Sequence, residues 1–309
     1  MNKKLLVVGT MAYDSVETPF GKADWILGGA ATYNALASNF FDIDCGIVSV
    51  IGNDFKPEHL QLLKDRNIDL SGVEQVPDGK TFFWKAEYHN DLNSRTTLDT
   101  QLNVLESFQP KVPQQYTRPH ILLLGNLHPD VQWAAMQQMQ QRPKLIILDT
   151  MNFWMEHFRP KLDEVIANVD VISINDEEAR QLTAQHSLVK AAAMIHAMGP
   201  KYVIIKKGEH GALLFYNNHI FCAPALPLEE VFDPTGAGDS FAGGFAGYLC
   251  QFENPTLENM KAAIIYGSAM ASFTVEKFGT ENIQQVTKAK IDARLKTFEM
   301  LTKFDIELE

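Results

Sequence analysis

Short, uninterrupted apolar runs recur along the chain, and most are separated by segments with a helical pattern. The runs lie at residues 5–10, 47–51, 121–125, 145–149, 169–174 and 202–205. The helical patterns lie at residues 32–39, 56–66, 131–141, 176–185 and 188–198. A continuous apolar run of this length is typical of a strand buried on both faces. Strands that alternate with helices indicate βαβ units, so the sequence predicts a mainly parallel sheet covered by helices on both faces.

Two segments interrupt this alternation, at residues 14–27 and 78–104. In the second, apolar side chains occupy every other position: Phe82, Trp84, Ala86 and Tyr88. Turn residues follow at 89–93, and residues 94–102 have the pattern of a second strand. We therefore expect one α/β domain over residues 1–309, with a small β-sheet lid formed by insertions at about 12–27 and 78–104.

The aromatic face of this lid has three interpretations that the sequence does not separate. It could close over a ligand, form a homodimer through the lid, or pack as an ordinary core face.

The net charge of −11 disfavours nucleic acid and anionic membranes as main partners. No apolar stretch approaches the roughly 20 residues that span a bilayer, and the run at residues 5–8 is too short for a signal peptide. The three cysteines are widely separated, which is typical of reduced residues rather than a disulfide framework. We expect a soluble, cytoplasmic protein.

Residues 233–245 read DPTGAGDSFAGGF and join a glycine-containing turn to a predicted helix. Backbone N–H groups at such a turn point to a common spot and carry the positive end of the helix dipole, which suits a phosphate. Gly236 and Gly238 let the backbone approach an anion closely. An acid at Asp239 would repel that anion, unless it accepts a proton from a hydroxyl that attacks the phosphate.

The alternative is that Asp239 only caps the helix, because Asp is favoured in a first turn. Three glycines within the helix, Gly243, Gly244 and Gly247, would each cost about 1 kcal/mol relative to Ala. A helix that tolerates them is expected to pack its backbone closely against a neighbour. We favour the phosphate-and-base interpretation.

Residues 233–245 resemble the C-terminal motif of the ribokinase-like (PfkB) family of carbohydrate and nucleoside kinases. Four further segments resemble family motifs in the same order: Gly28 and Gly29 followed by Ala35 and Ala37, residues 51–55 (IGNDF), residues 175–178 (NDEE), and residues 206–212 (KKGEHGA). The resemblance extends over essentially the whole chain. It implies a ribokinase-like α/β fold with a β lid, and an ATP-dependent kinase acting on an alcohol group.

The resemblance also implies roles on the phosphate side. Asp239 would be the catalytic base, and the amides of Gly236, Ala237 and Gly238 would form an anion hole for the transferring phosphoryl group. Asn175 and Glu178 would help to place Mg²⁺, through water. Their spacing is equally that of a helix capping box, which requires no metal.

Further residues match the family's nucleotide and cation sites. Lys206 and Gly208 lie where the family contacts the phosphates and ribose of ATP, and Ser268 lies on the helix that borders the adenine. Asp233 resembles the residue that many members use for a monovalent cation, K⁺, which is optional in the family.

The acceptor motif departs from the family's pattern. Asp14 matches the sugar-binding aspartate, and Gly28 and Gly29 match the glycine pair. Tyr33 stands where the family has a substrate-binding asparagine, and Asn34 follows it. The acceptor is therefore expected to be held by Asp14 and Gly29, and to differ from ribose in shape.

The first choice of acceptor is a sugar or sugar derivative. A nucleoside is the main alternative, since Phe82, Trp84 or Tyr88 could stack on a base. A binding protein that has lost catalysis is disfavoured, because such a protein would not need Asp239.

Overall fold

The structure is a computed structural model, and it describes residues 3–90, 92 and 94–303. In chain order its strands are β1 (Lys4–Val8), β2 (Ala12–Thr18), β3 (Gly21–Gly28), β4 (Asp44–Gly52), β5 (Asp69–Val76), β6 (Phe82–Tyr88), β7 (Arg95–Gln101), β8 (Ile121–Leu124), β9 (Leu145–Leu148), β10 (Val171–Asn175), β11 (Tyr202–Lys206), β12 (Ala212–Tyr216) and β13 (His219–Ala223). Its helices are α1 (Ala30–Ser38), α2 (Pro57–Asp65), α3 (Pro129–Gln137), α4 (Asn152–His157), α5 (Arg159–Ile166), α6 (Asp176–Thr183), α7 (Leu188–Met198), α8 (Ala237–Leu249), α9 (Leu257–Thr274) and α10 (Lys288–Thr302).

The central sheet has nine strands within the described residues, in the order β13-β12-β11-β10-β9-β8-β1-β4-β5. All neighbours from β11 to β5 are parallel, and β12 is antiparallel to both β11 and β13. This confirms the predicted mainly parallel sheet. The predicted apolar runs correspond to β1, β4 and β8 to β11.

Side chains of the central strands alternate between two apolar layers. In β1, Leu5 and Val7 face one layer, while Leu6 and Val8 face the other. All four are fully buried. A strand covered on both faces has no polar side, which explains the continuous apolar runs.

A separate four-stranded sheet, called the small sheet below, has the order β3-β2-β6-β7. Its strands lie within the two predicted insertions, so the expectation of a second sheet is confirmed. The predicted turn at residues 89–93 is only partly visible, because Asp91 and Asn93 lie outside the described residues. Asp14 pairs with Ile26 on one side and Trp84 on the other, which places these three side chains on one face.

Helix α8 lies against α1 and α9 with backbone in direct contact. A Cβ added at Gly243 would overlap with the backbone of Asn34, and one added at Gly244 would lie 2.7 Å from Cγ of Met270. The close approach offsets the cost of glycine within a helix. It also packs the middle of α8 directly against α1.

Within the described residues, no helix is both long and apolar enough to cross a bilayer. The expectation of a single domain over the whole chain stays a prediction.

Candidate active site

The carboxyl ends of three neighbouring strands bring charged groups to one edge of the central sheet. Asp149 follows β9, Asn175 ends β10, and Lys206 ends β11. Nζ of Lys206 lies 3.5 Å from Oδ1 of Asp149. A Cβ added at Gly238 would lie 3.0 Å from the same Nζ, so Lys206 stands directly beside the first turn of α8.

The first turn of α8 begins at Gly236, which has φ 75° and forms the N-cap. A Cβ here would be strained and would overlap with the ring of Tyr33. The amide of Ala237 donates to the carbonyl of Pro234 at 3.2 Å. The amides of Gly236 and Gly238 have no hydrogen-bond acceptor in the described part of the chain. Two of the three amides predicted to form the anion hole are therefore available to a ligand.

Asp239 is half-buried in this first turn and makes no capping hydrogen bond. The pKa of Asp239 is raised to about 7, chiefly by burial and in addition by the nearby Asp149 carboxylate. The charges of Lys206 and Arg95 act in the opposite direction. A carboxyl group with a pKa near neutrality is well matched to accepting a proton at physiological pH.

Asn175 and Glu178 form a capping box at the start of α6. The amide of Glu178 donates to Oδ1 of Asn175 at 2.8 Å, and the amide of Asn175 donates to Oε2 of Glu178 at 2.7 Å. Burial raises the pKa of Glu178 to about 7, an effect that Lys206 partly offsets. The capping box, which was the alternative interpretation of this motif, is thus present, and a role of Asn175 and Glu178 with Mg²⁺ stays a prediction.

The donor set fits Mg²⁺ held through water. Within the described residues, no three Asp, Glu, His or Cys side chains lie close enough to hold a metal together. Glu178 and Asp149 nevertheless present buried carboxylate oxygens beside Lys206. Oxygen ligands and retained waters are typical of Mg²⁺ sites next to phosphates.

The sequence prediction of the site did not include Asp149. This residue is only 6% exposed, and its carboxylate lies beside the ammonium group of Lys206. Burial raises its pKa, and the Lys206 ammonium opposes that rise. The pKa of Lys206 is itself raised: burial alone would lower it, but the surrounding carboxylates outweigh burial. The signal in the sequence was an acid that directly follows an apolar run.

Gly208 and Ser268 are two of the residues predicted to contact the nucleotide. Gly208 has φ 54° in the short turn after β11, and Ser268 is buried on α9. Helix α9 packs against β12 and β13, the hairpin that follows this turn. No hydrogen bond or ion pair between described residues joins Gly208 or Ser268 to Asp239.

Asp14 faces the start of α8 from the small sheet. Its carboxylate occupies the volume that a Cβ at Gly28 would need, and Gly29 has φ 93°, so both glycines are required by close approach. The pKa of Asp14 is raised to about 8, chiefly by burial and in addition by the carboxylates of Asp233 and Asp239.

Tyr33 and Asn34 point to different surroundings. The phenol of Tyr33 lies against Gly236, and its residue is 1% exposed. Asn34 is fully buried, and its Nδ2 donates to the carbonyl of Ala30 at 2.7 Å within α1. The structure therefore brings Tyr33, and not Asn34, next to the turn that opens α8.

Asp233 is fully buried beneath this turn. Its Oδ1 accepts a hydrogen bond from the amide of Thr235 at 2.9 Å, and its Oδ2 accepts one from the amide of Gly279 at 3.0 Å. Burial raises the pKa of Asp233, while these hydrogen bonds act in the opposite direction. The carboxylate orders the turn, and its role with K⁺ stays a prediction.

The small sheet contacts the same turn through its inner face. The hydroxyl of Thr235 donates to that of Tyr88 at 3.3 Å. Arg95 is paired with Tyr88 across β6 and β7, and its guanidinium lies 5.7 Å from the centre of the Trp84 ring. Trp84 is half-buried on the face that carries Asp14, and is therefore accessible to a ligand.

A carboxylate and two amides without an acceptor among the described residues stand at a helix start, beside a lysine on the edge of a parallel sheet, and suit the binding of a phosphate group. The sequence profile of the pfkB family carbohydrate kinases matches residues 25–287. The chain belongs to this family, and it is a kinase.

Relatives of the chain include nucleoside kinases. It is 32% identical over 251 residues to a cytidine kinase of Thermococcus kodakarensis, covering 79% of this chain and 88% of that protein. It is 26% identical over 299 residues to a nucleoside kinase of Methanothermobacter thermautotrophicus, covering 91% of this chain and 92% of that protein. The crystal structure of a Methanocaldococcus jannaschii nucleoside kinase is similar with a TM-score of 0.76, at 20% identity, covering 96% of this chain and 98% of that chain.

Proposed function

We propose that the protein is an ATP-dependent nucleoside kinase, in which Asp239 is the catalytic base. The observation that carries the choice of acceptor is the 32% identity to a cytidine kinase over most of both chains. A sugar, which the sequence motifs alone favoured, becomes the second candidate. The retained Asp14 supports both, because it can accept hydrogen bonds from the hydroxyls of a free sugar or of a nucleoside's ribose.

In the proposed reaction, a nucleoside hydroxyl attacks the γ-phosphorus of ATP. Asp239 accepts the hydroxyl proton as the new P–O bond forms, and the bond to the leaving ADP breaks. The amides of Gly236 and Gly238 stabilise the charge of the transferring phosphoryl group. Lys206 stands beside Gly238 and supplies a positive charge at the same place.

Mg²⁺ would be held through water near Glu178 and Asp149, and would neutralise charge on the ATP phosphates. The buried carboxylates beside Lys206 support this placement. K⁺ near Asp233 stays a candidate, because each oxygen of that carboxylate accepts one amide hydrogen and keeps a lone pair for a cation.

The small sheet provides a surface for a base. Trp84 is half-buried and adjacent to Asp14 in the strand register, so a ribose held by Asp14 would bring its base near the indole. Tyr88 is buried and bonded to Thr235, which makes it a poorer stacking partner.

The test is ADP release measured with ATP, Mg²⁺ and a panel of cytidine, other nucleosides, ribose, fructose and sugar acids. We expect nucleosides to stimulate release most, with Asp239→Asn as the inactive control. Stimulation by sugars alone would overturn the choice of acceptor and leave the kinase assignment intact.

A cytoplasmic location, a homodimer through the small sheet, and the absence of nucleic-acid and membrane partners stay predictions from the sequence.

A further inference from the structure

Gln132, in α3, is a polar side chain that the protein buries completely beside the site. Its Nε2 donates to the carbonyl of Gly125 at 2.8 Å and to the carbonyl of Asp149 at 3.1 Å. Its Oε1 has no hydrogen-bond partner in the described part of the chain. A buried amide with an unpaired oxygen destabilises a folded protein, so the two hydrogen bonds that Nε2 donates are what offsets this cost.

The two carbonyl groups lie just beyond the last paired residues of β8 and β9. The ladder of these parallel strands ends at Leu124 and Leu148, and the amide of Asp149 donates to the carbonyl of Leu124 at 2.8 Å. Among the described residues, no backbone amide donates to the carbonyl of Gly125 or of Asp149. The side chain of Gln132 therefore replaces the missing strand hydrogen bonds and holds the two strand ends together.

These strand ends belong to different parts of the site. After β9, Asp149 presents its carboxylate to Lys206, with Oδ1 and Nζ 3.5 Å apart. After β8, Gly125 packs against α1, because a Cβ added at Gly125 would lie 3.3 Å from Cβ of Ala30, the first residue of that helix. The carboxamide of Gln132 thus joins the groups proposed to bind phosphate to the start of α1, where the acceptor is predicted to bind.

We propose that Gln132 is a positioning residue whose carboxamide sets the spacing between the ends of β8 and β9 and thereby keeps the Asp149 carboxylate beside Lys206. The inference rests on the proposed reaction, in which Lys206 places a positive charge beside Gly238, but not on the acceptor being a nucleoside. Phosphoryl transfer depends on the alignment of the two reactants, and a displacement of about 1 Å can lower the rate about 10²-fold. Loss of the two hydrogen bonds should therefore lower kcat more than it changes the affinity for either substrate.

The chain offers a matched control in Gln138, at the end of α3. Its Nε2 also donates to two carbonyls, those of Pro110 at 2.8 Å and Ala134 at 3.1 Å, and its Oε1 accepts from the amide of Val112 at 2.9 Å. These partners lie outside the site. Gln132→Met and Gln138→Met each remove the carboxamide and keep an unbranched side chain of similar size.

The first experiment measures the melting temperature of the full chain, and kcat and KM for ATP and for the best acceptor of the panel. Both variants should lower the melting temperature by about 4 °C, because each leaves two carbonyls without a donor. Gln132→Met should lower kcat about 10- to 100-fold, while both KM values change by less than about twofold. Gln138→Met should retain the kcat of the wild type.

A double-mutant cycle tests whether Gln132 acts through Asp149. In an Asp149→Asn background, Gln132→Met should lower kcat by less than about twofold, because the carboxylate that it orients is already absent. A loss of about tenfold in that background would overturn the proposal, as would an unchanged kcat of Gln132→Met in the wild-type background. An equal loss of kcat in Gln138→Met would also overturn it, since the effect would then follow from lower stability.

Crystal structures of the wild type and of Gln132→Met give a readout that requires no turnover. We expect the Asp149 carboxylate of the variant to lie further than about 4 Å from Nζ of Lys206, which is the limit of an ion pair. An unchanged distance between these groups would overturn the role of Gln132. A sugar-specific enzyme would refute the nucleoside assignment only, because this distance does not depend on the acceptor.

Discussion

Two parts of the site differ in their charges. The phosphate side lies around Lys206 and the start of α8, and the acceptor side lies around Asp14. Lys206 stands among Asp149, Glu178 and Asp239, and each of these carboxylates raises its pKa. Asp14 is buried near Asp233 and Asp239, and among the described residues it is a backbone hydrogen bond from Gly29, not a positive side chain, that opposes the rise of its pKa. The phosphate side is thus prepared for an anion and a metal ion, whereas the acceptor side presents a carboxyl group that is protonated at neutral pH and can both donate hydrogen bonds to hydroxyl groups and accept them.

The comparison implies that the two sides control different steps. Changes on the phosphate side should alter turnover, and changes on the acceptor side should alter the affinity for the acceptor. The predictions below test this separation, beginning with the largest effect.

Asp239→Asn should lower kcat by about 10²–10⁴-fold, because the variant cannot accept the hydroxyl proton. ATP affinity, measured by isothermal titration calorimetry, should stay within about twofold, since Asp239 makes no hydrogen bond that orders the turn. Asp42→Asn, at an exposed carboxylate paired with Lys3, is the control and should retain full turnover. Undiminished turnover of Asp239→Asn would refute the base assignment.

Gly236→Ala should damage both sides at once, because Gly236 is where Tyr33 meets the anion-binding turn. A Cβ at φ 75° is strained and overlaps with the phenol, so we expect the free energy of unfolding in urea to fall by about 3 kcal/mol.

A double-mutant cycle separates the two causes of that loss. In a Tyr33→Ala background the overlap is absent, and Gly236→Ala should cost only the backbone strain, about 1–2 kcal/mol. Equal losses in both backgrounds would show that the contact between Tyr33 and Gly236 contributes nothing.

Trp84→Ala should raise KM for a nucleoside about 10- to 100-fold, the range for loss of stacking on a base. KM for ATP should not change if the two sides are separate. Trp133→Ala is the matched control, because that ring lies on α3 beside Lys161, with Nζ 5.3 Å from the ring centre. A parallel rise of KM for ATP would contradict the separation.

The free energy of unfolding of the free protein should fall as the pH rises from about 5 to 8. The pKa of Asp14 is raised to about 8 and that of Asp239 to about 7, both from an ordinary value of 3.8. The folded state therefore binds more protons than the unfolded state in this window, so the stabilisation is complete below the ordinary pKa and is lost as the pH approaches the raised values.

Asp14→Asn should flatten this dependence by up to about 1.4 kcal/mol per pH unit, measured by urea denaturation at several pH values. Asp42→Asn is again the control, because Lys3 lowers the pKa of Asp42 and that group stays charged throughout the window. A slope unchanged by Asp14→Asn would show that Asp14 is ionised in the folded protein.

The sequence predicted those parts of the fold in which one physical signal dominates. The strands β1, β4 and β8 to β11 are buried on both faces, so their apolar runs are continuous. The edge strands β5 and β13 are largely half-buried or exposed and carry no such run. Helix α4 has six residues, too few to show a period, and a single residue, Phe158, separates it from α5.

In the site, prediction succeeded where a motif is local and failed where the contact is distant in sequence. The turn at residues 233–239 was recognisable because its glycines and acid are adjacent. Asp149 and Lys206 are 57 positions apart, and no local pattern links them. The ambiguity between Tyr33 and Asn34 required coordinates, because only the direction of each side chain from α1 separates them.

The contact between Gly243 and the backbone of Asn34 has a consequence for how such an enzyme can diverge. It joins α1 to the middle of α8 through main-chain atoms, while the ring of Tyr33 fills the space between α1 and Gly236 at the start of α8. Residues of the small sheet other than Tyr88, which is hydrogen-bonded to Thr235, can then be exchanged without shifting the reacting groups. We expect a chimera that receives the small sheet of a relative to acquire that relative's acceptor preference at undiminished turnover. Acceptor selectivity would then be exchangeable between relatives separately from catalysis.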